Sequence, residues 1–160
     1  MNISCDLNFM GSISSNEESF VITVKPEYRD ALTGLSEFSH AYILWWANNC
    51  ATASDRQKLI CEKPYVRNPN DVGVFGSRSP QRPNPIGLSI VSIIAVDMDN
   101  NRVIVPYIDT HSGTPLIDIK PYFPALDRVS TATNPEWCSH WPQSYEESAM
   151  FDWSKEFTED

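Results

Sequence analysis

Short β-branched and apolar runs recur along most of this chain, with turn residues between them. "SFVITV", Ser19 to Val24, is rich in β-branched residues and predicts a strand. "KPEYRDALTGL" predicts a helix of about two turns: Pro26 suits its start, Glu27 and Asp30 its first turns, and Gly34 its stop. "FSHAYILWW", Phe38 to Trp46, is apolar almost throughout and predicts a buried strand. "RQKLICEK" fits a strand or a helical turn, with strand preferred, and "DVGVFGS" predicts a strand. "IGLSIVSIIAVDMDNNRVIVPYID" predicts a hairpin, since two β-rich runs flank "DMDNN". "PLIDIKPY", Pro115 to Tyr122, predicts a strand that Pro121 and Pro124 stop. From Asn134 onward, Trp137, Trp141, Phe151, Trp153 and Phe157 predict one or two short helices packed on the body. Aromatics so placed anchor a core more often than they stack on bases. Many short strands and little helix predict a compact barrel or sandwich.

The chain has 160 residues, 41% of them hydrophobic, which suits one globular domain. No apolar run approaches the ~18 residues of a transmembrane helix, so no membrane partner is expected. "MNISCDLNFMGS" lacks the charge-then-apolar plan of an export signal, so a cytoplasmic location is expected. Cys5, Cys50, Cys61 and Cys138 form no C-x-x-C pair and are read as free thiols. Cys138, His140 and His111 are too scattered to predict a metal site, and none is expected.

The formal net charge of −9 repels nucleic acid at long range. Its distribution is uneven. Arg56, Lys58, Lys63, Arg67, Arg78 and Arg82 are half of the basic residues and lie in one short span. From Ser130 onward, seven acids face Lys155 alone, which reads as a solvated acidic tail.

"GVFGSRSPQRPNPIGLS", Gly73 to Ser89, is the most unusual stretch. Gly73, Gly76 and Gly87 permit positive φ or close backbone approach. Pro80, Pro83 and Pro85 fix φ and push Ser79, Arg82 and Asn84 toward extended backbone. Such a loop loses little entropy on ordering, so it can hold side chains ready for a ligand. Arg78 and Arg82 offer planar forks for carboxylate or phosphate, and Asn84 offers an amide suited to a base edge. Physics alone names no reaction here, and a rigid turn with its arginines paired to surface acids is the plainer alternative.

These residues resemble the signature of the TsaA-like family, which includes the TrmO-type tRNA methyltransferases. Its usual form is close to G-V-F-A-T/S-R-S/A-P-x-R-P-N-P-I-G-L/M-S/T, and Gly76 here replaces the common Ala. "LTGLSEFSHAYILWW" resembles the family's upstream block, and "IDTHSGTPLIDIKPYFPALD" its downstream block. The similarity covers about Phe20 to Asp127. The resemblance implies a mainly β fold: a single-domain antiparallel β-barrel with short peripheral helices. The barrel domain is expected over residues 1–129, with residues 130–160 an acidic aromatic segment packed on it. It also implies an S-adenosyl-L-methionine-dependent methyltransferase, a homodimer with cofactor clefts near the subunit interface, and tRNA as acceptor. The methylated atom would be the exocyclic nitrogen of threonylcarbamoyl-adenosine next to the anticodon.

Carried over by position, the implied cofactor residues are Asn48, Asn49, Arg78, Leu88, Ile90 and the segment Ile108, Asp109, Thr110, His111. Arg78 suits the cofactor carboxylate. Asn49 and the Ile108–His111 backbone suit adenine polar edges, and Leu88 and Ile90 its face. Arg82, Asn84, Lys120 and Tyr122 are the implied acceptor residues. Transfer from a sulfonium needs alignment of nucleophile, methyl and leaving sulfur, and the nitrogen must also lose a proton. His40, Asp109 and solvent are all open as the base, with Arg82 as a further catalytic candidate.

Three features depart from the family. "MGSISSNEESFVITV" passes from strand to strand where relatives carry a P-R-Q-P-G-like loop that encloses the cofactor. Ser112 stands where D-G-T-P is usual. Longer relatives add a C-terminal domain. A small-molecule acceptor and a non-catalytic cofactor-binding module therefore stand beside tRNA methylation as readings.

Overall fold

The computed structural model describes residues 6–16 and 18–158, so Cys5 lies outside the described residues. Nine strands occur in chain order: β1 (Gly11–Ser15), β2 (Phe20–Val24), β3 (His40–Trp46), β4 (Ile60–Cys61), β5 (Val72–Gly73), β6 (Ile86–Ser92), β7 (Ala95–Asp97), β8 (Arg102–Val105) and β9 (Thr114–Pro121). Seven of them form one antiparallel sheet in the order β6-β3-β9-β1-β2-β8-β7, while β4 and β5 pair separately. Helix is confined to 3-10 turns and to two single α-turns, α1 (Pro124–Asp127) and α2 (Tyr145–Ser148).

The fold is mainly β, with a large antiparallel sheet. The expected barrel needs one correction: the hydrogen-bonded sheet does not close, and β6 and β7 are its two edges. Those edges are nonetheless joined in sequence by Ile93 and Ile94 alone. Ile93 N–H donates to the Ser39 carbonyl (2.8 Å), and the 3-10 turn Leu35–Glu37 lies against β7. The edges thus meet at a corner, and the sheet curls round its core without sealing.

Strand periodicity sets which side chains make that core. Ile13, Ile22, Ala41, Ile43, Val91, Val103 and Val105 are fully buried on the inner face, with Leu32, Leu35, Ile108 and Leu116 beside them. Each of the Val, Leu and Ile side chains contributes about 1.5–3 kcal/mol by leaving water.

The helix expected over "KPEYRDAL" is a 3-10 helix, Pro26–Leu32. The chain reverses at Gly34, whose φ of 81° needs a residue without Cβ. The expected hairpin is shorter than the sequence run. β7 and β8 pair with Asp97 opposite Arg102, and Asp97 accepts from Asn100 N–H (3.1 Å) and Nδ2 (2.7 Å). Upstream, β6 pairs with β3 instead, so the run breaks at Ile93.

The segment after residue 130 packs its aromatics on the stretch between β4 and β5. Tyr65 stacks on Trp137 with centroids 4.4 Å apart, and Trp141 meets Trp153 edge-on at 5.2 Å. Tyr65 and Phe157 form an isolated β-bridge, and Val66 N–H donates to the Glu156 carbonyl (3.0 Å). Tyr65 is buried under this cluster, the three tryptophans are half-buried, and Phe157 stays exposed at its edge.

Candidate functional site

The strand ladders gather the predicted residues at defined ends of the sheet. Trp46 pairs with Ile86, Ile13 with Thr114, Ser15 with Phe20, and Phe20 with Val105. One end of the sheet therefore carries four connections: Asn48–Cys50 after β3, the Arg78–Pro85 loop before β6, the Ile108–His111 segment between β8 and β9, and the β1–β2 turn. Asn48, Asn49, Arg78, Asn84, Asp109, Thr110 and His111 all belong to this end. His40, Lys120 and Tyr122 lie at the other. Eight residues separate His40 from Asn48, which is about 26 Å along an extended strand. A single chain does not bring His40 to the Asn48 end.

The loop from Ser77 to Pro85 is heavily braced. Arg82 Nε donates to the Ser79 carbonyl (2.7 Å), and its Nη2 donates to those of Val74 (2.7 Å) and Ser77 (2.6 Å). Arg56 Nε donates to the Pro83 carbonyl (3.0 Å) while its guanidinium lies over the Trp46 ring, and Lys58 Nζ donates to Gln81 (2.6 Å). Arg82, expected to act on the acceptor, is thus a brace for its own loop. Arg78 is the opposite case. It is exposed and makes no hydrogen bond or ion pair among the described residues. Its charge reaches over the outer sheet face, where it opposes the upward shift that burial and the charge of Asp127 give the Tyr42 phenol.

None of Gly73, Gly76 and Gly87 has positive φ; Gly76 and Gly87 act by close approach, while Gly73 has room for a Cβ. Gly87 lies against the Trp45 indole, leaving no room for a Cβ, and Trp45 Nε1 donates to Ser89 Oγ (3.0 Å). Sequence reasoning missed this pair, because only the β3–β6 register reveals it.

The other candidates divide by environment. Asn48 and Asn49 are exposed, with Asn48 Nδ2 donating to Asn49 Oδ1 (3.2 Å). Asn84 is exposed. Leu88 is 47% exposed on the outer face opposite Leu44, and Ile90 is half-buried opposite Tyr42. Ile108 is 2% exposed, so its side chain belongs to the core and only its backbone can face a ligand. Thr110 Oγ1 is buried without a hydrogen-bond partner. Asp109 is exposed, and after burial it is the main reason the Tyr107 phenol is pushed up. His111 is exposed, and its carbonyl accepts from Thr114 Oγ1 (2.8 Å).

At the far end, His40 Nδ1 bonds Ser39 Oγ (2.9 Å), and its ring packs edge-on against Tyr122 and Tyr145. These residues line a groove of about 430 Å³ with Ile90, Arg128 and Glu146. Lys120 Nζ pairs with Asp118 (2.8 Å), which raises the ammonium pKa. The expected thiols Cys50, Cys61 and Cys138 are unpaired with one another, and His140 binds Glu156 (2.9 Å).

The model of the tRNA-methyltransferase O N-terminal domain matches residues 11–128. The chain belongs to this family. It is 38% identical over 109 residues to an S-adenosyl-L-methionine-binding protein of Archaeoglobus fulgidus, covering 68% of this chain and 73% of that one. It is 37% identical over 106 residues to the tRNA (adenine(37)-N6)-methyltransferase of Escherichia coli, covering 65% of this chain and 44% of that one. The crystal structure of TrmO from Pseudomonas aeruginosa matches with a TM-score of 0.64 and 26% identity, over 82% of this chain and 62% of that one. The chain spans less than half of the Escherichia coli enzyme and 30% of a longer Archaeoglobus fulgidus relative.

Among the described residues, the β1–β2 turn leaves no room for an enclosing loop. Asn16 N–H donates to the Ser19 carbonyl (2.9 Å), and Asn16 Oδ1 accepts from Ser19 N–H (2.7 Å). No helix among the described residues is long and apolar enough to cross a membrane.

Proposed function

We propose that this chain is an S-adenosyl-L-methionine-dependent methyltransferase, and that its acceptor is the exocyclic nitrogen of threonylcarbamoyl-adenosine next to a tRNA anticodon. The observation that carries the reading is the pairing of one free arginine, Arg78, with a loop braced around it. A cation carried on a braced loop, with no hydrogen bond or ion pair among the described residues, suits the carboxylate of an amino-acid-bearing ligand. The orphaned Thr110 Oγ1 in the Ile108–His111 segment supports the same end, since a buried hydroxyl without a partner is costly.

Arg78, Asn48, Asn49, Leu88 and the backbone of Ile108–His111 would hold the cofactor, which supplies an activated methyl group. Asp109 stands at this same end, so it is the base we assign within one chain. Arg82 keeps the loop in shape, and Asn84 faces the acceptor.

We also assign a homodimer. β6 is a seven-residue edge strand, with Ile86 41% and Leu88 47% exposed. A two-fold axis beside β6 would run the two edges antiparallel. That places the partner's His40–Tyr122 end beside the Arg78 loop, where a single chain cannot. A small-molecule acceptor is the second reading, favoured by the net charge of −9.

Two measurements test this. Calorimetric titration with S-adenosylmethionine and S-adenosylhomocysteine should show binding, and labelled methyl should pass to tRNA lacking the modification. Absence of cofactor binding both with and without tRNA defeats the methyltransferase reading. Cofactor binding with transfer to metabolite extracts and none to tRNA selects the small-molecule acceptor.

A further inference from the structure

Phe75 is the most exposed large apolar side chain among the described residues, at 95%. It sits on the 3-10 turn Val74–Gly76 and makes no ring contact there. A single exposed phenylalanine is ordinary on a floppy loop. This one is held in place. Arg82 Nη2 grips the carbonyls of Val74 and Ser77, which flank the turn on either side. Val74 is itself 3% exposed and its N–H donates to the Leu59 carbonyl (3.0 Å). A Cβ at Gly76 would press on Val72 (2.8 Å), so the turn packs tightly on its own strand. The ring is presented by a rigid support rather than left over.

Its surroundings point the same way. Pairing of Ile60 with Gly73 brings Leu59 and Ile60 alongside, 61% and 51% exposed. Residues 55–82 carry six basic and three acidic side chains, a net of +3. The rest of a chain of net −9 therefore carries −12. An apolar, aromatic platform beside Lys58 and Arg82, on an otherwise acidic molecule, matches an unpaired base with its phosphates.

We infer that Phe75 and the β4–β5 surface form a stacking platform for an unpaired base of the acceptor RNA, with Lys58, opposite Phe75 across the β4–β5 ladder, facing its phosphate. This rests on RNA being the acceptor. Three residues separate Phe75 from Arg78, so the platform adjoins the proposed cofactor end.

The test measures binding of a fluorescein-labelled anticodon stem-loop by anisotropy, as a function of salt, beside calorimetric cofactor affinity. Phe75→Ala should weaken RNA binding at least fivefold with the salt slope and cofactor affinity unchanged, as expected for loss of one stacked base. Phe75→Trp should retain wild-type affinity. Lys58→Ala should flatten the salt slope by about one counterion. RNA binding by the wild type that is indifferent to Phe75→Ala overturns the platform and leaves RNA as acceptor. Absence of any RNA binding by the wild type overturns both. Conversion of a dimer to a monomer by Phe75→Ala, read by light scattering, makes the surface a self-contact and overturns the inference.

Discussion

Arg82 Nη2 donates to the Val74 carbonyl at 2.7 Å, tying the second arginine of the Pro-rich loop to the backbone that enters it. Together with its bonds to Ser77 and Ser79, this makes Arg82 a structural clamp. Arg82→Ala should lower stability by about 1.5–3 kcal/mol, the range for hydrogen bonds to a charged group. Cofactor affinity and transfer should fall together, because both depend on loop geometry. Arg82→Lys should rescue little, since an ammonium cannot span three carbonyls in a planar fork. Denaturant melts beside calorimetry check this. Loss of transfer alone, with stability and cofactor binding intact, would return Arg82 to the acceptor.

Arg78→Ala should behave in reverse. An exposed side chain with no partner inside the protein contributes nothing to its fold, so the melting curve should not move. Cofactor affinity should weaken by about 1.5–3 kcal/mol, through loss of one charged hydrogen bond. Unchanged affinity in this folded variant removes Arg78 from the site.

Gly87 faces the Trp45 indole across the β3–β6 ladder. Gly87→Ala should destabilise by about 1–3 kcal/mol, as overpacking does. It should also shift the fluorescence of Trp45, whose Nε1 bond to Ser89 would be strained. A wild-type melt and spectrum in Gly87→Ala would mean that β6 moves aside at no cost, and that it is a loose edge.

β-branched and apolar runs made the longer strands visible; which face is buried, as Ala41 and Ile43 are between half-buried Tyr42 and Leu44, came from the structure. They showed less at β4 and β5, where two residues each are too few to make a run. The open sheet was not legible, since closure depends on whether β6 finds a partner beyond the run at Ile93. In the site, the sequence brought forward two arginines of equal standing. The family resemblance gave Arg78 to the cofactor and Arg82 to the acceptor, but the bracing role of Arg82 appeared only in its grip on carbonyls that no local motif announces. Asn84 and Asp109 were visible as residue types, but their shared end of the sheet is a property of the ladder registers.

The last prediction concerns the anchor of the C-terminal segment. Glu156 is 6% exposed, and its Oε2 accepts from Trp141 Nε1 and His140 Nε2, each at 2.9 Å. The Trp141 bond, then the His140 bond, hold its carboxyl below the ordinary glutamate value of 4.5. A carboxyl depressed in the folded state stabilises the fold above its unfolded pKa, and that contribution is lost as pH falls through the lower folded value. The segment should therefore hold at neutral pH and release below about pH 4.5. Trp141 emission should report the release, since its indole N–H loses its acceptor. Glu156→Gln keeps an acceptor oxygen but has no charge to lose. Its emission should be flat across the same window, with a lower melting temperature at neutral pH. An acid transition that is unchanged in Glu156→Gln would place the titrating group elsewhere in the aromatic cluster.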